Sequence, residues 1–226
     1  MGTDTDDWST TLYLIRHAEC AMNPDTSIIR GQAPESPLTE RGRKQASALG
    51  ERFHRQQIVF DRVYASPFQR AMDTAEIMLD AMPQPSKIVL RARQLVEYSA
   101  GAWAGKPRVQ MYTPDTMRHM GELGMDWRPP EGESLHMVEH RAVDWLLREI
   151  VSKGEMVEGL PPHRTFAVVA HALPIKCLLR HILGVHDRMV WRVAIDNTGI
   201  AKMRFTAHGW FVDTVNDTAH LDGHGY

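Results

Sequence analysis

Two apolar runs in this chain end in the same way, and that repetition constrains the fold more than any other feature. Thr11-Leu12-Tyr13-Leu14-Ile15 runs without a breaker into Arg16-His17, and Thr165-Phe166-Ala167-Val168-Val169-Ala170 runs into His171. Continuous apolar or β-favouring stretches of this length, without polar alternation, read as strands buried on both faces, the habit of parallel sheets. In open α/β sheets ligands gather beyond the carboxyl ends of the strands, so both imidazoles stand where chemistry is usually done. A fixed guanidinium beside one of them favours an anionic substrate, phosphate above all. An isolated Arg-His pair is equally an ordinary polar strand end, so the rest of the chain must supply its partners.

Between the two runs, strand signals alternate with helix signals. Cys20 to Pro37 is rich in turn formers and reads as a long loop. Thr39 is placed as the N-cap of a helix carrying Ala46, Leu49 and Phe53 at helical spacing. Asp61 to Ala65 reads as a short strand, and Ser66-Pro67 as the cap and first position of a helix bearing Ala71, Ala75, Met78 and Leu79. Lys87 to Leu90 is a third strand, followed by a Gly-rich stretch from Leu95 to Gly105. Residues 106–132 have no clean period and are assigned as a small helical cap over a pocket. Glu133 to Val151 is helical, with Leu135, Val138, Ala142, Trp145, Leu146 and Ile150 as its apolar stripe.

Met156 to His163 reads as a linker, and a helix from Pro174 to Leu183 stops at Gly184. Ile200 to Phe205 and Trp210 to Val215 form a terminal pair around His208-Gly209, with a frayed tail from Asn216 to Tyr226. The expected architecture is a three-layer α/β/α sandwich with a mostly parallel central sheet. Residues 1–226 form one domain, with 106–132 as the cap insertion.

Composition excludes several classes. The net charge is −2, so there is no basic footprint for nucleic acid or an anionic membrane surface. No apolar run approaches the ~18–20 residues that span a bilayer, and Met1 to Thr10 is acidic and polar, unlike a signal peptide. Cys20 and Cys177 are too few for a disulfide framework and suit a reducing cytosol. The expectation is a cytoplasmic enzyme without a cofactor, with a homodimer as the candidate assembly.

Two further strand ends complete a constellation. Arg70 lies in the first turn of the helix after Ser66-Pro67, and Glu97 lies in the Gly-rich loop. With these motifs assembled, the chain resembles the histidine phosphatase superfamily, also called the phosphoglycerate mutase-like family, over roughly residues 11–205. The resemblance rests on Leu14-Ile15-Arg16-His17-Ala18-Glu19, Ser36-Pro37-Leu38-Thr39-Glu40 with Gly42, and Ser66-Pro67 with Arg70-Ala71 and Thr74-Ala75. It continues through Leu95-Val96-Glu97 with Gly101, Trp103 and Gly105, Glu131-Gly132-Glu133-Ser134, and Val169-Ala170-His171.

The resemblance implies that His17 is a nucleophile forming a phosphohistidine. Arg16, Arg70 and His171 would clamp the phosphoryl oxygens, Asn23 and Ala172 would add phosphate contacts, and Glu97 would be the general acid. Such an acid needs a raised pKa. A metal-independent phosphatase acting on a small phosphorylated metabolite follows. The family's usual glycine after each histidine is here Ala18 and Ala172, which keep the backbone N–H but need negative φ and room for a methyl.

Three alternatives stand beside this reading. A phosphoglycerate mutase-type transfer is one, although Tyr98-Ser99-Ala100 after Glu97 lacks the mutase branch's arginine, and Arg118 and Arg128 are isolated. A non-catalytic binding protein on the same fold is another. The third is a zinc hydrolase, because His136-Met137-Val138-Glu139-His140 matches the H-x-x-E-H pattern.

Overall fold

The computed structural model describes residues 8–23, 25–83, 88–152 and 163–223. Six strands form one sheet: β1 (Ser9–Arg16), β2 (Arg62–Ala65), β3 (Val89–Arg91), β4 (His163–Ala170), β5 (Ile200–Thr206) and β6 (Gly209–Asp217). Their spatial order is β3-β2-β4-β1-β5-β6. The first four run parallel, and β5 and β6 are antiparallel additions on the β1 side.

The strand period of two explains the layering. Leu12 and Leu14 of β1 pack in one core with Phe166 and Val168 of β4, whereas Tyr13 and Ile15 pack in another with Ala167 and Val169. The first core is closed by α5 (Leu135–Leu146) and α6 (Ala172–Leu183), through Ala142, Trp145, Leu178 and Leu179. The second is closed by α1 (Glu40–Arg55) and α2 (Gln69–Asp80), through Leu49, Phe53, Ala75 and Met78. Unbroken apolar strands therefore required helices on both faces, and the three-layer expectation holds.

The cap contains α3 (Arg108–Met111), α4 (Pro114–Leu123) and a 3-10 turn at Gly124–Asp126. Neither α3 nor α4 buries a residue; Met125 alone in the turn is fully enclosed. Helices this short and exposed leave no 3.6-residue apolar stripe, which is why this stretch has no legible period.

Several boundaries differ from expectation. Ser66-Pro67 does not cap α2: that helix begins at Gln69, its N-cap is Phe68, and no side chain caps it. Thr39 does cap α1, its hydroxyl accepting from the Gly42 amide at 3.0 Å. The helix expected over Glu133–Val151 starts at Leu135, behind the N-cap Ser134, and loosens into a π-turn over Leu147–Val151. The helix after β4 begins at Ala172 rather than Pro174, immediately behind His171.

The tail is not frayed through residue 223. Asp217 pairs with Arg52, and a 3-10 turn over Ala219–Leu221 buries His220. Residues 1–7, 24, 84–87, 153–162 and 224–226, which include parts of the expected N-terminal segment, first loop, third strand, linker and tail, lie outside the described residues. Among the described residues no helix is long and apolar enough to cross a membrane.

Candidate active site

The pairing register builds the centre. Ile15 sits opposite Val169 and Arg16 opposite Ala170, so the next residues, His17 and His171, leave adjacent parallel strands side by side. The His17 amide donates to Ala170 O at 2.9 Å, and the two imidazoles meet edge-on with centroids 5.1 Å apart. Both rings are buried.

Hydrogen bonds fix the proton positions. Nδ1 of His17 lies 2.7 Å from Ala18 O, a carbonyl that can only accept, so Nδ1 carries the proton. Nε2 then presents its lone pair, and Arg70 Nε donates to it at 3.2 Å. On His171, Nε2 lies 2.8 Å from Ser66 Oγ while Nδ1 is buried without a protein partner. A Ser66 hydroxyl donating to Nε2 leaves Nδ1–H of His171 as a free donor. The serine expected to cap α2 instead orients this ring.

Arg16 at the end of β1 anchors one guanidinium nitrogen to Ile195 O at 2.7 Å, and its buried Nε has no protein partner. Arg70 in the first turn of α2 is tied to Ala33 O at 2.8 Å and Gln32 O at 3.0 Å. Asn23 Oδ1 accepts from the Cys20 amide at 2.8 Å, which turns its amide NH2 outward as the donor end. Arg16, His17, Asn23, Arg70 and Glu97 together line a recess of about 80 Å³.

Electrostatics follow from this crowding. Burial first, then the cations of Arg16 and Arg70, hold His17 well below its ordinary 6.5. Burial and the neighbouring His17 do the same to His171. Burial lifts the Glu97 carboxyl above its ordinary 4.5, although the Tyr98 amide donating at 2.9 Å and the nearby Arg70 and Arg16 oppose the rise. The result is two neutral imidazoles, two permanent cations and a carboxyl biased toward its protonated form. Such a recess can receive a dianionic phosphoryl group on preset donors.

Second-layer residues that the sequence reading missed hold this arrangement. Gln32 donates to Glu97 O at 3.0 Å while its own carbonyl anchors Arg70, linking the two loops. Arg141 bridges Glu133, at 2.8 Å, to the Gln94 and Glu97 carbonyls. Asn197 donates to His17 O at 2.9 Å. Apart from Arg141 and Glu133, eight residues apart, these partners are separated by tens to hundreds of residues, so no local motif marks them. Arg30, which no motif singles out, also lines the recess.

The two alanines are accommodated: neither has positive φ, and Ala18 packs with Cys20, Leu38 and Ala46. The Ala18 amide donates to Thr74 Oγ1 at 3.0 Å and is not free for a ligand. Ala172 opens α6 directly behind His171. Gly42 explains the neighbouring motif, because a Cβ there would lie 1.9 Å from Glu19 O. Helix α1 can approach the loop carrying Ala18 and Glu19 only through glycine.

The H-x-x-E-H residues do not converge on one point. Glu139 is paired with Arg180 at 2.9 Å, His136 with Asp126 at 2.7 Å, and His140 is exposed. Trp103 packs on Trp127 at 4.9 Å, and Trp127 and Tyr98 line a second cavity of about 240 Å³ beside the recess.

A family model described as "Histidine phosphatase superfamily (branch 1)" matches residues 12–218. The chain belongs to this superfamily. A probable phosphoglycerate mutase GpmB of Yersinia pestis is 30% identical over 222 residues, covering 93% of this chain and 94% of that protein. A mycobacterial glucosyl-3-phosphoglycerate phosphatase superposes with a TM-score of 0.77 at 23% identity, covering 92% of this chain and 99% of that one. A phosphoserine phosphatase from Entamoeba histolytica, in complex with phosphoserine, gives a TM-score of 0.75 at 25% identity, covering 94% and 99%. Membership brings phosphoryl transfer with it, and both phosphatases and mutases occur among these relatives.

Proposed function

We propose that this chain is a phosphatase that hydrolyses a small phosphomonoester through a phosphohistidine on His17, without a metal. The observation that carries the reading is the protonated Nδ1 of His17 held on Ala18 O, with the Nε2 lone pair facing Arg70. That tautomer makes Nε2 a nucleophile. On substrate binding Arg70 Nε moves from Nε2 to a phosphoryl oxygen, and the unpartnered donors of Arg16 and His171 take others. Asn23 and the Ala172 amide, at the start of α6, add neutral donors.

Nε2 attacks phosphorus in line as the P–O bond to the leaving group breaks, and Glu97 delivers its proton to the departing oxygen. Glu97, now a carboxylate, then takes a proton from water, which attacks the phosphohistidine and releases inorganic phosphate. Positive charge around the phosphoryl oxygens comes from two guanidinium groups, so the step is electrostatically complete within the chain. Splitting one displacement into two lowers each barrier.

Mutase chemistry is the second reading, favoured by the name of the 30% identical Yersinia relative. Against it, Arg118 is paired with Asp115 and Arg128 is exposed on a separate shallow depression, so neither lines the recess or the cavity beside it. The test is p-nitrophenyl phosphate hydrolysis with and without chelator, in wild type and His17→Ala, followed by 3-phosphoglycerate. Expected are chelator-resistant turnover abolished by the substitution, and release of inorganic phosphate rather than an isomer. Chelator-sensitive turnover surviving in His17→Ala refutes the mechanism.

A further inference from the structure

The cavity of about 240 Å³ is continuous with the phosphate recess, because Arg30, Gly31 and Glu97 line both. A phosphoryl group in the recess therefore directs its leaving group past Glu97 into this cavity. The walls have two kinds of chemistry. Tyr98, Tyr112, Trp127 and Trp191 contribute ring faces and edges, and Trp103 props Tyr112 and Trp127 from behind at 5.6 and 4.9 Å. Arg30 and Arg108 contribute two cations.

These cations are tied to backbone and ring, with the Asp25 carboxylate near enough to act on Arg30 without bonding to it. Arg30 donates to the backbone carbonyls of Asn23 and Asp25, and Arg108 lies over the Tyr112 ring at 5.6 Å. Neither forms an ion pair among the described residues. They are nevertheless held in one frame, since Arg108 N donates to Ser27 O at 2.8 Å, Ile29 N to Lys106 O at 2.9 Å and Gly105 N to Ile29 O at 2.7 Å. Burial and then the Arg108 charge hold Arg30 below its ordinary ionisation, as expected for like charges confined together. Among the described residues the only carboxyl lining the cavity is Glu97, which burial biases toward the neutral form.

We propose that the substrate is a phosphomonoester whose leaving group has a flat apolar body and a second anionic group held by Arg108 together with Arg30, which stands where the recess opens into the cavity. The ring body occupies the aromatic walls, and the second anion, a carboxylate or a phosphate, neutralises the unpaired arginines. The inference rests on the phosphoryl group entering the recess, as in the reading above, but not on turnover.

Binding of non-hydrolysable phosphonates by calorimetry tests it. The probes are propylphosphonate, benzylphosphonate, 4-carboxybenzylphosphonate and the para-bisphosphonate of xylene. Benzylphosphonate is expected to bind more tightly than propylphosphonate. Either second anion is expected to add about ten- to a hundredfold, the worth of a charge-assisted contact, and the stronger of the two identifies its class. Arg108 is exposed, so Arg108→Met is expected to fold, which circular dichroism checks. In it, the ratio between charged and uncharged benzyl probes is expected to collapse to about twofold, and in Arg30→Met/Arg108→Met to unity.

A second anion that adds less than about threefold overturns the proposal, as does a gain that survives loss of both arginines. Failure to bind any phosphonate overturns this proposal and the phosphatase reading together. Selective binding without turnover of p-nitrophenyl phosphate retains the subsite and removes the phosphatase reading. Turnover without selectivity does the reverse.

Discussion

Replacing Glu97 by Gln separates the proton from the shape of the side chain. Glutamine retains an oxygen that can accept from the Tyr98 amide, now at 2.9 Å from Oε1, and the Gln32 and Arg141 bonds go to the backbone carbonyl of residue 97, which is unchanged. What disappears is an acidic proton that burial keeps on the carboxyl above its ordinary pH range. A positioned general acid contributes about 10²- to 10⁴-fold, or ~3–5 kcal/mol of barrier. That loss is expected only where the leaving oxygen needs protonation. An alkoxide does; p-nitrophenolate leaves as a stable anion.

The assay is kcat/KM, which reports steps through the first irreversible transfer to His17, for an alkyl phosphate and for p-nitrophenyl phosphate. Glu97→Gln is expected to lower the alkyl value by about 10²-fold or more and the p-nitrophenyl value by less than about tenfold. In wild type, the alkyl kcat/KM falls as pH rises through the raised Glu97 value, and its acid limb lies below 6.5 because His17 is depressed. The variant loses the alkaline limb. Stability moves the opposite way: a carboxyl whose folded pKa is raised costs stability once pH exceeds its ordinary 4.5, so the amide variant is at least as stable as wild type at neutral pH. Equal losses on both substrates, or a destabilised variant, refute the assignment of Glu97 as the acid.

Three further substitutions probe the frame. Gly42→Ala forces a methyl to within 1.9 Å of Glu19 O and is expected to cost ~1–3 kcal/mol and reduce kcat, read by thermal melting and turnover; a neutral result contradicts the close approach. Asp217→Asn removes the ion pair with Arg52 at 2.5 Å, which holds the Asp217 carboxyl at about 2, and is expected to cost ~1 kcal/mol at neutral pH after discounting for exposure. Because that pKa is depressed, the wild-type advantage is complete above 3.8 and disappears as pH falls through about 2, as acid titration of the two proteins checks. Ala18→Gly, at a position of negative φ whose methyl is enclosed, is expected to lower stability by ~0.5–1 kcal/mol without raising activity; a large gain in kcat would mean the methyl obstructs the site.

Legibility in this chain follows the range of the interaction responsible. The strand ends at Arg16-His17 and Ala170-His171 were readable because burial on both faces is written in consecutive residues, and one register then brings the imidazoles together. The Thr39 cap was readable because its partner, the Gly42 amide, is three residues away. Ser66 satisfied the same local rule and was misplaced, since its hydroxyl serves His171, 105 residues on, and the helix starts elsewhere. The Arg141–Glu133 pair and Asn197 are invisible for the same reason: each stabilises a backbone carbonyl whose position only the fold defines. The cap escaped because short exposed helices need no apolar stripe. The recess, built at strand ends, is thus legible in the sequence, whereas the aromatic-walled cavity beside it is not. Superfamily membership was legible in the chain alone, whereas Arg30 and Arg108 share one wall only because residues 27–29 pair with residues 105–108.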